Sequence, residues 1–353
     1  MTVTDVTGVD SVWTATRRTG LPAVARWAAA IGGALVIFSV IIATQGANPL
    51  EVFADMFAST FLRPRSIADI FNAMGPIVLA ALAVVVPARA GMSNVGGEGQ
   101  VMVGAIAACG VALLTDEFLP TAVVLPLMIL AGILGGAAWA AIAGLLRLVF
   151  SVNEAVSTLL LNFVALYLLL FLIYQPWRES SAGQPTTREL ADTAKLPELT
   201  GIGLMVGIFV AVIAVVGVWL VLDHTRWGYK LSVVGGNAEA ARRAGLPVPW
   251  LILSALLVGG ALAGVAGMIQ YAGVEFKLRA GFADQIGYIG FLASWLARHR
   301  PFPVLLASFV LASLMIAGDS LQLDAQLPAA TINILTALIL VAVLGFTQKK
   351  ASR

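Results

Sequence analysis

One cysteine and two histidines in 353 residues leave little from which to build a disulfide framework, a thiolate metal cluster or an imidazole-based active site. Cys109 stands alone in an apolar stretch, and His224 and His299 each lie near an arginine at the end of one. Charge is scarce as well. Asp, Glu, Lys and Arg make up 11% of the chain, against about 25% in an ordinary soluble domain. No G-x-x-x-x-G-K-[ST] phosphate loop occurs, so ATP would have to be hydrolysed by another chain. No paired acid and base and no metal-ligand spacing stands out, and the chain does not read as an enzyme. The period-2 alternation of a membrane barrel is missing too. A net charge of +2 carries no nucleic-acid signature, because the basic residues sit in loops between apolar runs.

What is abundant is hydrophobicity: 59% of residues, with a mean hydropathy of +0.94. Runs of ~20 apolar residues recur, each long enough to cross a ~30 Å hydrocarbon core as a helix. The fold class is therefore all-α polytopic membrane protein. Ten spans are expected, near Trp27–Thr44, Ile67–Val86, Val101–Leu114, Ala122–Leu146, Ala155–Tyr174, Gly201–Leu222, Leu251–Tyr271, Gln285–Leu296, Val304–Leu321 and Thr331–Phe346. The third and eighth are short, so either their polar flanks enter the membrane or these helices are broken. Pro49–Arg65 reads as an amphipathic surface helix with Phe53, Met56, Phe57 and Phe61 on one side. The organisation is a tail at 1–26, a membrane domain at 27–346 and a second tail at 347–353. An external loop at 175–200 and a polar loop at 223–249 interrupt the membrane domain.

Lys and Arg set the orientation. With both termini inside, the inner loops and tails receive 14 of the 21 basic residues. The outer side keeps Arg63, Arg65, Arg178, Arg188, Lys195, Lys277 and Arg279. No convincing cleavable signal precedes the first span, which follows 26 mostly polar residues.

Three segments carry polar residues where lipid would not tolerate them. In Pro87–Gln100, three glycines surround Glu98, with Asn94 and Gln100 alongside. Two readings stand there: a carboxylate facing a pathway or a partner, or a turn in which Glu98 stabilises a helix N-terminus. Asn153, Glu154, Ser157 and Asn162 place a polar stripe on the fifth span, serving as interhelical glue or as substrate lining. In the loop 223–249, Glu239-Ala240-Ala241 followed by Gly245 predicts a short helix with a glycine C-cap, which Pro247 prevents from continuing. Gly132-x-x-x-Gly136 and Gly260-x-x-x-Gly264 predict close helix crossings, and Gly281, Gly287 and Gly290 a re-entrant or tightly packed turn. Asp319, Gln322 and Asp324 belong to a wet outer loop or to the pathway.

The blocks NVGGEGQ, VNEAVSTLLLNFVALYLL, TRWGYKLSVVGGNAEAARRAGL and GFADQIGYIGFLASWLA occur in this order. Together they resemble the permease subunits of bacterial ABC importers for nucleosides and simple sugars, over roughly Ile67 to Gly345. Ribose-type relatives carry a G-I-D-L-S-type sequence where this chain has SNVGGEGQ, which is similar to the nucleoside branch, with Ser93 replacing its usual aromatic. The length resembles the larger of that branch's two permeases. The resemblance implies a permease fold of the ribose/vitamin B12 type and transport by alternating access. It implies no cofactor on this chain and ATP-Mg on a partner ATPase. Its further partners would be a second, non-identical permease, an extracytoplasmic solute-binding lipoprotein and the bilayer of the bacterial cytoplasmic membrane. Gly235, Asn237, Glu239, Ala240, Ala241 and Gly245 become candidates for ATPase coupling, and Asn94, Glu98, Gln100, Asn153 and Asn162 for the pathway or its gate. The rivals are an ion-coupled secondary transporter, with Glu98 and Glu154 as proton carriers, and a membrane scaffold.

Overall fold

The computed structural model describes residues 23–179, 183–199, 201–283 and 285–324, with isolated positions at 334, 337 and 338. Its named elements are helical: α1 (Ala23–Thr44), α2 (Pro49–Phe61), α3 (Pro64–Arg89), α4 (Gly97–Thr115), α5 (Thr121–Phe150), α6 (Glu154–Tyr174), α7 (Gly207–His224), α8 (Arg226–Gly236), α9 (Ala238–Arg243), α10 (Val248–Gln270), α11 (Ile286–Leu296) and α12 (Pro301–Asp324). Seven of them are long and apolar enough to cross a membrane, and α1 with α2 form an eighth candidate bent by 111°. The expected tenth span, Thr331–Phe346, falls outside the continuously described residues.

The differences from expectation have local causes. The helix expected over Pro49–Arg65 ends at Phe61, because Arg63 precedes a proline and is driven to extended backbone, while Pro64 opens α3. Its aromatic side does not simply lie on a surface. Phe53, Met56, Phe57 and Phe61 face Phe309 and Leu314 of α12 across an apolar groove, and Val52 packs under Phe38 and Ile42 of α1. The third span starts four residues before expectation, since Gly97–Gln100 form its first turn. The eighth stays short. At ~1.5 Å per residue, the 11 residues of α11 reach about half of a ~30 Å core.

α3, α4 and α10 are mostly buried and form the centre, while α5, α6 and α7 keep apolar faces open. The centre is held together by missing side chains. The two glycine pairs foreseen in sequence turn out to be partners of each other. Gly132 and Gly136 of α5 lie against Gly260 and Gly264 of α10, and Gly104 of α4 touches Gly264 from the other side. A Cβ on Gly264 would fall on the Gly132 carbonyl, and one on Gly136 on the Gly260 carbonyl. Backbones at this distance gain dispersion contacts that lipid tails cannot match.

Candidate functional site

The buried centre of the site is a junction of two helix starts. Glu98 lies in the first turn of α4 and is 4% exposed. Its Oε1 accepts from the Gln285 amide at 2.9 Å, and its Oε2 accepts from Gly287 at 2.7 Å and Tyr288 at 3.3 Å. Those amides open α11, whose own N-cap position, Gln285, supplies no side-chain cap. A carboxylate thus caps a helix from another helix, 187 residues away, with charge-assisted bonds and a favourable dipole. The two first turns touch backbone to backbone, because Gly287 leaves room for the Glu98 main chain. The helix-N-terminus reading of Glu98 is realised, with a distant helix in place of its own.

The pathway reading also keeps a basis. Glu98 and Asn162 line a cavity of about 190 Å³ with Met102, Phe163, Leu166, Gly281, Phe282 and Tyr288. Asn162 accepts from Gly99 N at 2.9 Å and donates to Val95 O at 3.0 Å and to the Tyr288 hydroxyl at 3.2 Å. It fastens α6 to the start of both α4 and α11. Tyr288 was not singled out from sequence. Its signal is position, directly after Gly287 in the turn expected to be re-entrant.

The other candidates divide. Asn94 and Gln100 exchange amide hydrogen bonds, both 3.0 Å, and Asn94 also donates to the Ala83 carbonyl. They lock the α3–α4 corner and do not line this cavity. Asn153 stands apart at an exposed position, where it caps α6 through Ala155 N and Val156 N. The polar stripe therefore begins as a cap, and the rest of it, Glu154, Ser157 and Asn162, is buried. Glu154 pairs with Arg147 at the end of α5 and accepts from Ser93 N, so it braces the same corner.

The segment α8–α9 is the exposed counterpart. Asn237 caps α9 through Ala240 N at 2.9 Å. At the other end, Leu246 N bonds Ala241 O and Gly245 N bonds Arg242 O, with Gly245 at φ +82. This is a Schellman stop of the kind the sequence predicted. Glu239 is exposed and pairs with Arg242 and Arg243 of its own helix at 3.2 Å each. Ala240 faces outward, but Ala241 is buried and anchors the helix. Gly235 is exposed on one side and on the other is seated on the Arg89 carbonyl and on Gly91 at the α3–α4 corner. Arg89 reinforces that seat through Ser232 and Asp223. The exposed helix is thus one packing step from the corner that leads to Glu98.

At the opposite end of α4, Asp116 is buried and binds Arg188 and the Ala191 amide, which ties the 183–199 loop to that helix. This hydrogen bond pushes the Arg188 pKa further up. Nothing in the local sequence spacing announces the pair. Asp319, Gln322 and Asp324 lie on the last turns of α12, where side chains are outside the described set.

Apolar helices of spanning length around a buried polar junction define a multi-pass membrane protein. A family model described as "Branched-chain amino acid transport system / permease component" matches residues 66–344, and the chain belongs to that family. It is a family of transport permeases, not of enzymes. The chain is similar to the glucose ABC transporter permease protein TsgB13 of Haloferax volcanii, at 34% identity over 87% of this chain and 83% of that one. It is also similar to the nucleoside ABC transporter permease protein NupB of Lactococcus lactis, at 27% identity over 86% and 85%. The guanosine ABC transporter permease protein NupP of Bacillus subtilis is 28% identical over 86% and 88%.

Proposed function

We propose that this chain is one of two pathway-forming permeases of an ATP-driven nucleoside importer in a bacterial cytoplasmic membrane. In this reading the protein has ten spans and a fold of the ribose/vitamin B12 type, with both termini in the cytoplasm. A separate ATPase binds and hydrolyses ATP-Mg, the other permease is a different chain, and an extracytoplasmic solute-binding protein delivers the ligand.

The observation that carries the reading is the packed connection from an exposed short helix to a buried junction. Glu239, Ala240 and the Schellman turn at Gly245 present an outward surface to the ATPase, with Asn237 and Ala241 fixing the helix. Movement of that surface acts on Gly235, which is seated on the α3–α4 corner. The corner carries Asn94 and Gln100 into the start of α4, where Glu98 holds α11 and Asn162 holds α6. Packed elements of this kind switch between discrete arrangements more readily than they deform smoothly. Alternating access then amounts to making and breaking the α4–α11 contact against the second permease.

Nucleosides are supported by the NVGGEGQ block and by the likeness to NupB and NupP. A simple sugar is the second reading, favoured by the higher identity to TsgB13. Uptake of labelled guanosine, adenosine, uridine, ribose and glucose in cells with and without this chain separates them. Loss of nucleoside uptake alone supports the first reading, and loss of sugar uptake alone moves the protein to the second.

A further inference from the structure

The geometry points to the cavity between α4, α6 and α11 as a base-ring site, in which the Tyr288 hydroxyl donates to the ring and Phe163 lies against its face. This rests on the nucleoside reading and assigns that reading its selective contacts. Three features of the cavity carry it.

The first is that the anion-binding capacity of the junction is already used. Helix N-termini attract anions, but the amides of Gln285, Gly287 and Tyr288 all point to Glu98. The carboxylate fills the place an incoming phosphate would take and repels one that approaches. The cavity therefore disfavours an anionic ligand.

The second is an unused proton. Asn162 donates to the Tyr288 hydroxyl at 3.2 Å, which makes that oxygen an acceptor. Among the described residues the hydroxyl proton itself has no acceptor. The amide of Asn162 is spent on Gly99, Val95 and Tyr288, so it fixes the hydroxyl and leaves the outgoing bond to Tyr288. A phenol that accepts one bond donates a stronger one. A purine or pyrimidine offers in-plane nitrogen and carbonyl acceptors to such a donor.

The third is the wall. Phe163, Phe282 and Tyr288 line the cavity with Met102 and Leu166, so its faces are aromatic and apolar. Phe282 is fully buried and serves as a floor, whereas Phe163 is 53% exposed and free to meet a ligand. Stacking of a base on an aromatic ring is tolerant of sequence and grows with ring area. Purines should gain more from Phe163 than pyrimidines.

The experiment replaces the native gene by Tyr288→Phe and Phe163→Leu variants, with every other component of the transporter in place. Uptake of labelled guanosine is measured against concentration, with unlabelled adenosine and uridine as competitors. Tyr288→Phe should raise the apparent KM roughly three- to tenfold, the worth of one hydrogen bond, and leave the maximal rate near wild type. Phe163→Leu keeps an apolar side chain of similar reach, so it should fold. It should reduce the preference for adenosine over uridine as competitor by roughly threefold or more. A purely structural role would lower the maximal rate or the amount of protein and leave the competitor ratio alone. Wild-type nucleoside uptake with unchanged KM and unchanged preference in both variants overturns the base-ring site and spares the importer reading. Uptake of glucose but of no nucleoside by the wild type overturns the substrate reading and the site with it.

Discussion

Two carboxylates in this chain follow glycine- or alanine-rich sequence and sit in the first turn of a helix, yet they end in opposite settings. Glu98 is 4% exposed and gives both oxygens to the first amides of a helix from elsewhere in the chain. Glu239 is exposed and pairs with Arg242 and Arg243 on its own helix. The first carboxylate is part of the packed centre, where its removal strands the amides that open α11. The second sits on a surface segment, where water replaces whatever it loses. The residue type is the same. What differs is how many groups depend on it, and this separates a junction that defines the fold from a surface that a partner can use.

Four substitutions sharpen that contrast, and the largest effect belongs to the centre. Gly264→Val puts a branched side chain on the Gly132 carbonyl and against the Gly136 backbone. Backbone cannot yield there, so a loss well above ~3 kcal/mol is expected, beyond usual overpacking. The check is the amount of folded protein extracted from membranes, which should be close to none. Glu98→Ala leaves one buried and two half-buried amides without this acceptor and should destabilise by roughly 3 kcal/mol. Thermal unfolding in detergent measures it, and a midpoint equal to wild type would erase the difference between the two carboxylates. Gly245→Val sets a β-branched residue at φ +82, where left-handed backbone costs about 1–2 kcal/mol. The protein should still insert, but uptake should be abolished; normal transport would remove the docking role. Glu239→Gln breaks only exposed pairs, worth under ~0.5 kcal/mol. Its unfolding midpoint should match wild type, so any loss of uptake would report on partner contact.

Much of this was legible in the sequence, and the limits are physical. Periodic signals survived: the α9 helix, its glycine stop and the small-residue crossings all rest on local spacing. The pairing of Gly132 and Gly136 with Gly260 and Gly264 was not legible, because spacing marks a face and not the partner it meets. The same holds for Glu98, for which helix capping was one of two open readings and whose capped helix lies far along the chain. Asn153 reads two ways because a polar residue before an apolar run is both a possible lining residue and a good N-cap, and the structure shows the cap. The buried pair of Asp116 and Arg188 left no local trace, since Asp116 reads as an ordinary loop residue. Pro64 split the expected surface helix for a reason the sequence did contain.

The central claim is that ATP hydrolysis on another subunit works through α9 and the α3–α4 corner to open the junction at Glu98. The most direct test is substrate uptake in cells whose cognate ATPase is catalytically inactive but still assembles with this chain. It is compared with uptake in wild-type cells whose proton gradient is collapsed while ATP is maintained. The account predicts that uptake disappears with the inactive ATPase and persists without the gradient. Uptake that survives loss of ATP hydrolysis and fails with the gradient would contradict it, and would make Glu98 and Glu154 the carboxylates of a proton-coupled carrier.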